Sequence, residues 1–197
     1  MNTRPVRMGE CVEILPGYAF KACARHDPSG SHQVIIGKHL PDPGVGYRYH
    51  PSHELRVTPR GKIARYVVKA GDVLLISRGA KNHATLVEDI PKRTVASATF
   101  YLLRMRNGVD GAYFTWFLNQ SPTQHRIRLA RTTAGTPILQ RRVFVDIVIF
   151  LPSLADQRKI AALGACMVNE RLLQQTLIHR TERLHALIGQ RLVRNLI

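Results

Sequence analysis

Short apolar runs bounded by glycine and proline dominate the first hundred residues. They are rich in β-branched and aliphatic residues, and the long amphipathic stretches that join parallel strands are missing between them. The runs occupy residues 12–15, 33–36, 64–68, 73–76, 84–87 and 98–103. This pattern predicts several short strands in a twisted, mostly antiparallel sheet.

The pattern changes at Asn107, after which apolar residues recur at helical spacing. Asp110 is a preferred N-cap residue, and the apolar side chains at 113–118 suit a helix that packs on a sheet. Ser121 and Pro122 predict the N-cap and first residue of a second helix. A buried strand is expected over 143–151.

Residues 153–197 contain no proline, and their apolar residues recur at helical spacing. Ser153 with Asp156 fits a capping box at the start of this helix. A helix of about 38 residues is about 57 Å long at 1.5 Å per residue, which is typical of a coiled coil. The alternative is a core helix folded back on its own domain. The positions expected to form a dimer seam are Ile160, Leu163, Met167, Leu173, Leu177, Leu184, Ile188 and Leu192.

The predicted fold class is therefore α+β, in two parts. Residues 1–152 are expected to form one domain with a mostly antiparallel sheet and short helices, and residues 153–197 a long dimerisation helix. Three cysteines (Cys11, Cys23 and Cys166) and no CxxC pair argue against a disulfide framework or a zinc site. They favour a reducing, cytoplasmic setting.

The charge balance indicates the class of partner. Lys and Arg total 29 against 13 Asp and Glu, a formal net charge of +16. Such an excess attracts polyanions, of which nucleic acid is the commonest soluble one; a basic protein that is merely soluble is the alternative. A membrane surface fits less well, because the bases are spread along the chain. There is no apolar run of the roughly 18–20 residues that span a bilayer, and the first residues lack the apolar core of a signal peptide.

Enzyme motifs are missing from the sequence. It contains no phosphate-binding loop, HExxH zinc pair or GxSxG nucleophile elbow. Carboxylates are scarce, and His50 and His53 have the spacing of a metal pair without further ligands nearby. We therefore expect no catalysis, no cofactor and no metal.

Arginine dominates the segment between Tyr101 and Arg142, where seven arginines face one acid, Asp110. The guanidinium fork matches phosphate oxygens and the major-groove edge of guanine. The polar loop 77–83 between two apolar runs is a second candidate. The residues expected to contact DNA are Arg78, Lys81, Asn82, Arg104, Arg126, Arg128, Arg131, Thr132 and Thr133. The alternatives are a solvated helix face and a simple turn; the loop 47–53 is either a groove contact or a lid over the sheet.

Four segments, in this order, resemble the specificity (S) subunits of type I restriction–modification systems. The first three are the opening strand and turn, a Gly-Asp-Val-Leu strand, and an arginine-rich helix that ends at a glycine. The fourth is a Leu-Pro-x-x-x-Asp-Gln-x-x-Ile-Ala motif at the start of a long helix, and it is the most specific of the four. They cover residues 8–20, 71–78, 124–135 and 150–161.

The resemblance implies a target-recognition domain followed by a scaffold helix. Members of the family read a bipartite double-stranded DNA site, bind no cofactor themselves and bring methyltransferase and restriction subunits to the DNA. A full-length S subunit has two recognition domains and two long helices, whereas this chain has one of each. A homodimer with antiparallel helices would restore the symmetric whole and read a palindromic site. The alternatives are an orphan S-like protein that engages no methyltransferase, and a scaffold whose helix binds another protein.

Overall fold

The computed structural model describes residues 3–20 and 24–196. Cys23, the first two residues of the expected domain 1–152 and the last residue of the expected helix 153–197 lie outside these ranges. The described strands are β1 Thr3–Arg7, β2 Val12–Pro16, β3 His32–Ile35, β4 Tyr47–Arg48, β5 Arg56–Val57, β6 Val73–Ile76, β7 Ala84–Asp89, β8 Thr94–Ala96, β9 Phe100–Met105 and β10 Val148–Pro152. The described α-helices are α1 Met8–Cys11, α2 Gly111–Asn119, α3 Ser121–Leu129, α4 Arg141–Val145 and α5 Leu154–Arg194.

A five-stranded sheet with the order β2-β9-β6-β7-β4 is the centre of the fold. All of its pairings are antiparallel except that of β4 with β7. A three-stranded sheet, β5-β3-β8, and a ribbon of β1 with β10 complete the strands. The predicted α+β fold with a mostly antiparallel sheet is confirmed.

The two ends of the five-stranded sheet differ in the loops that they carry. Strands β2 and β6 both run antiparallel to β9, so they end at the same place: Pro16 lies opposite Tyr101, and Ile76 lies opposite Phe100. We call this the upper end. Strand β7 begins there, at Ala84, and finishes at the lower end, where β6 begins.

Both faces of this sheet are buried, which explains why its strands appear as continuous apolar runs. Successive residues of β6 alternate between two core clusters: Val73 and Leu75 face one, and Leu74 faces the other. Helix α2 contributes Phe114 to the first cluster. The predicted N-cap of α2 is confirmed, because the Asp110 carboxylate accepts a hydrogen bond of 2.8 Å from the Tyr113 amide.

Three local predictions are wrong. Residues 64–66 form a turn of 3₁₀ helix, and only Val67 makes an isolated bridge, to Val95. The strand expected over 143–151 is short, because α4 inserts Phe144 into the core and β1 offers β10 only five partners. The N-cap of α3 is Gln120, so Ser121 and Pro122 are its first two residues; proline is tolerated there because no intrahelical N–H bond is needed.

Helix α5 begins as the sequence predicts. The Asp156 amide donates to Ser153 Oγ at 3.2 Å. Gln157, which is fully buried, fixes this first turn: its Nε2 donates to the Gly108 and Pro152 carbonyls at 3.0 Å each, and its Oε1 accepts from the Asp110 amide at 2.8 Å. The Asp-Gln pair of the sequence motif thus has a structural explanation, because Asp156 pairs with Ser153 in the cap and Gln157 attaches the first turn to the domain.

The chain divides into two compact units between Ala161 and Ala162. In the first unit, Ile160 packs against the main core cluster, which corrects its assignment to a dimer seam. In the second unit, the seven remaining seam positions are solvent-exposed; Leu163 is 64% exposed and Leu177 66%. Within residues 3–20 and 24–196, no helix combines the length and the apolar character needed to cross a membrane.

Candidate nucleic-acid interface

The loop 77–83 leaves the upper end of the sheet between β6 and β7. The Leu139 amide donates to the Ser77 carbonyl at 2.8 Å, and the Gly79 amide donates to the Pro137 carbonyl at 2.9 Å. Arg78 forms an isolated antiparallel bridge with Ile138. The segment after α3 therefore lies beside the loop, so two candidate regions that are far apart in the sequence meet here.

Arg131 supports this loop from within. Its Nη1 donates to the Ala80 carbonyl at 2.9 Å and to Asn82 Oδ1 at 3.1 Å. Asn82 is buried, and its Nδ2 donates to the Ile76 carbonyl at 2.8 Å. The two residues were predicted to contact DNA, but the structure corrects this assignment, because their polar atoms hold the loop in shape.

The loop also rests on helix α3. Gln124 Nε2 donates to the Asn82 carbonyl at 3.0 Å and to the Leu118 carbonyl at 2.7 Å. Lys81 and Arg128, both exposed, line a shallow cavity of about 260 Å³ beside this contact. Lys81 of the loop and Arg128 of the helix therefore lie on one surface.

His83 lines the same cavity and was not singled out from the sequence. Burial, together with the charge of Lys81, lowers its pKa, against an opposing effect of Asp42. Neither ring nitrogen has a hydrogen-bond partner among the described residues. Both ring nitrogens are themselves buried, so they are closed to a ligand in this conformation.

Arg78 and Arg141 extend the charged surface around Tyr101. The Tyr101 hydroxyl donates to the Leu139 carbonyl at 2.7 Å. Burial raises the pKa of Tyr101, and the charges of Arg141 and Arg78 act to lower it. Both arginines are exposed. We call Arg78, Lys81, Arg128 and Arg141 the basic loop surface; Arg141 belongs to the arginine-rich segment but was not chosen from the sequence.

Gly79 gives this surface an approachable backbone. Its φ of 111° lies in the region that favours glycine, and no atom is within 4 Å of where a Cβ would stand. The Cα of Gly79 therefore faces open space, while its amide donates to Pro137 and its carbonyl accepts from Arg131. A nucleic-acid backbone or base edge has room to approach it.

Three other predicted contacts are used inside the protein. Arg126 Nη1 donates to the Val148 carbonyl at 2.7 Å and so attaches α3 to β10. Thr132 Oγ1 accepts from the Ile138 amide at 3.0 Å and shapes the turn, whereas Thr133 is exposed. Arg104 is at the lower end, where it pairs with Asp72 at 3.3 Å.

The Arg104–Asp72 pair is largely buried, with side-chain exposures of 24% and 7%. Burial raises the pKa of Asp72, and hydrogen bonding to the Lys69 amide and the charge of Arg104 act to lower it. Arg104 also donates to the Val67 carbonyl. The structure therefore separates Arg104 from the basic loop surface and corrects its assignment as a DNA contact.

The loop 47–53 packs against the domain. Tyr47 is buried, and the ring of His53 stacks on those of Tyr47 and His39 at centroid distances of 5.7 and 5.1 Å. Arg48 pairs with Glu88 at 2.7 Å. These contacts favour the lid over the groove contact. Among the described residues, no three His, Cys, Asp or Glu side chains are grouped to hold a metal ion.

The fold is similar to three solved structures. One belongs to work on complex assembly and conformational transition of the type I restriction–modification system (17% identity, TM-score 0.62), and one is the HsdS subunit from Thermoanaerobacter tengcongensis (18%, 0.62). Both matches cover 85% of this chain and 38% of the other. The third is the type I S subunit from M. genitalium (13%, 0.57), which covers 88% of this chain and 41% of the other. Neither a protein-family model nor a curated protein matches the sequence.

The predicted resemblance is thus matched at the level of the fold, over less than half the length of each relative. Its sequence segments lie where the structure gives them roles: the strand 73–76 leads into the basic loop surface, and Gln157 anchors α5. The chain therefore has the fold of type I restriction–modification specificity subunits.

Proposed function

We propose that this chain recognises a specific double-stranded DNA sequence, as a half-length specificity subunit. The observation that carries the proposal is the basic loop surface. Four exposed cations, none of them in an ion pair among the described residues, lie on interlocked segments at one end of the sheet. The shared fold supports the same assignment.

The geometry favours different kinds of DNA contact for different cations. Arg78 and Lys81 are on a short loop tip, the kind of element that enters a major groove, and arginine is suited to the guanine edge. Arg128 and Arg141, on helices beside the loop, fit phosphate contacts, which position the protein without reading sequence. The internal bonds of Arg131 fix the loop before DNA arrives, which lowers the entropic cost of binding.

Selection from random duplexes with the purified chain tests the proposal. Affinity for the selected duplex and for a scrambled one is then measured over a range of salt concentrations. We expect a preference of roughly 10³-fold or more for the selected sequence. Arg128→Ala should weaken binding to both, and the matched control Lys92→Ala, at the lower end, should not. Equal affinity for the two duplexes would rule out sequence-specific recognition.

We also propose that two copies pair through the second unit, with antiparallel helices centred between Leu177 and Ile178. In this register Leu163 faces Leu192 of the other copy, and Met167 faces Ile188, whereas Leu173 faces Glu182 and Leu184 faces Arg171. Two polar pairs also match, because Glu170 faces His185 and Gln174 faces Thr181. The seam is thus self-complementary at its apolar pairs and at the acid–histidine pair.

Light scattering at micromolar concentration tests this pairing. The wild-type chain should have the mass of a dimer, and Leu177→Asp, at the centre of the seam, should be monomeric. Gln175→Asp introduces the same charge on another face of the helix and should remain dimeric. A monomeric wild type would remove the proposal, and with it the expectation of a palindromic bipartite site.

Assembly with methyltransferase and restriction subunits is the third part of the proposal. It rests on the similarity to a structure from work on type I complex assembly. Co-purification of the chain with the modification subunit of its own host would support it. Specific DNA binding without any such subunit would favour the alternative of an orphan S-like protein.

A further inference from the structure

A second basic segment lies in the first half of the chain, outside the basic loop surface. Residues 55–71 contain five bases and no acid. Within them, Arg60-Gly61-Lys62 forms the tip of a turn that precedes the 3₁₀ helix at Ala64–Tyr66. The φ of Gly61 is 83°, and no atom is within 4 Å of where its Cβ would stand. The tip is therefore open to an incoming ligand.

Tyr18 holds this turn in a fixed position. The Tyr18 hydroxyl accepts a hydrogen bond from the Arg60 amide at 2.8 Å and donates one to the Arg60 carbonyl at 3.1 Å. The ring of Tyr18 packs edge-on against Phe20 and Tyr66, at centroid distances of 4.8 and 5.5 Å. Such contacts on both the hydroxyl and the ring indicate that the turn is ordered before any ligand binds.

The side chains at the tip are free cations. Arg60 and Lys62 are exposed and form no ion pair among the described residues. Other bases of the segment are used internally: Arg56 donates to the Gly30 carbonyl at 2.9 Å, and Arg65 lies 5.3 Å from the centre of the Tyr66 ring. The tip thus presents two positive charges without a protein partner.

Tyr18 links this turn to the same end of the sheet as the basic loop surface. Tyr18 follows the end of β2, and the loop 77–83 follows the end of β6. Only β9 separates these strands, and neighbouring strands are about 4.8 Å apart, so Tyr18, whose hydroxyl holds the turn at Arg60, and the loop 77–83 leave the sheet about 10 Å from each other. A single duplex, which is wider than this spacing, can contact both.

We propose that Arg60 and Lys62 bind the phosphate backbone of the same DNA duplex that the loop 77–83 reads. The inference rests on the proposed function and adds a second contact to it. Exposed charged side chains on a backbone turn that is held in place fit phosphate oxygens. They position the duplex across the upper end of the sheet and carry no sequence information.

The test uses the full chain and the selected and scrambled duplexes, with Arg60→Ala/Lys62→Ala as the variant. Each lost phosphate contact lowers the slope of log affinity against log salt by about 0.9, so the double variant should lose about 1.8. Affinity should fall by the same factor for both duplexes. Tyr18→Phe keeps both charges but releases the turn, and it should weaken both duplexes by a smaller common factor.

The matched control is Lys69→Ala/Lys92→Ala, which removes two exposed lysines at the lower end. Its slope should equal that of the wild type. An equal loss of slope in the control would show that only total charge matters, and an unchanged slope in the Arg60/Lys62 variant would show that no phosphate is bound there. A changed preference between the duplexes would overturn the phosphate assignment in favour of base contact. If the wild type binds the selected and the scrambled duplex equally well, that outcome refutes the proposed function alone. The slopes of log affinity against log salt still decide whether Arg60 and Lys62 bind phosphate.

Discussion

Gln157→Ala should destabilise the first unit by about 3 kcal/mol. The side chain is fully buried and makes three hydrogen bonds, to the Gly108 and Pro152 carbonyls and from the Asp110 amide. A hydrogen bond contributes about 1 kcal/mol net, which gives about 3 kcal/mol for the set. Water reaches the exposed Gly108, so the penalty for its unpaired carbonyl should be small. Domains of this size are stable by about 5–15 kcal/mol, and the variant should therefore still fold.

Urea unfolding followed by tryptophan fluorescence measures this loss. The chain has one tryptophan, Trp116, which packs against the main core cluster and so reports on the first unit. The matched control is Gln174→Ala, whose side chain donates at 3.2 Å to Glu170 on the exposed helix. That substitution should change stability by less than about 0.5 kcal/mol. A Gln157→Ala midpoint as close to wild type as the control would refute the view that these bonds anchor α5.

Two further predictions concern the loop and the buried histidines. Arg131→Met removes the donor that holds Ala80 and Asn82, and it should weaken binding of the selected duplex about tenfold while costing about 1–2 kcal/mol of stability; unchanged affinity would show that the loop needs no such support. Burial lowers the pKa of His39 and of His83 below the ordinary 6.5, so the folded chain favours their neutral forms. The stability that this contributes is fully present above pH 6.5, and it is lost as the pH falls below that value. The free energy of unfolding, measured in urea, should therefore fall between pH 7.5 and 5, by at most about 1.4 kcal/mol per pH unit for each histidine. His39→Gln should flatten this profile, and a flat wild-type profile would contradict the account.

Local signals explain which elements could be predicted from the sequence. Asp110 and Ser153 mark helix starts because a short polar side chain satisfies a free amide within three residues, a relationship that is contained in the sequence itself. The segment 141–145 is different. Its Val-Phe-Val run has β propensity, but burial of Phe144 in the main cluster makes it helical. That choice depends on the rest of the domain, so no local pattern reveals it.

The candidate site was predictable as a region but not residue by residue. Composition identifies the arginine-rich segment, yet Arg126 and Arg128 are only two positions apart and have different uses. Arg126 donates to a carbonyl of β10, and Arg128 lines the open cavity. The partner of Arg126 is 22 residues away in the chain, which is why the sequence cannot separate the two. The acid-free run around Arg60 and Lys62 is visible in the sequence, but it was not selected there as a candidate.

The arrangement separates the residues that hold the loops from those that face outward. Arg131, Asn82 and Tyr18 make bonds to backbone groups, so they fix the path of the chain whatever side chains the tips carry. Arg78 and Lys81 make no such bond among the described residues. Because the exposed side chains bear none of the support, they can be exchanged without loss of the fold. Under the proposed function, a domain built in this way can change the sequence that it reads while the proposed phosphate contacts continue to position the duplex.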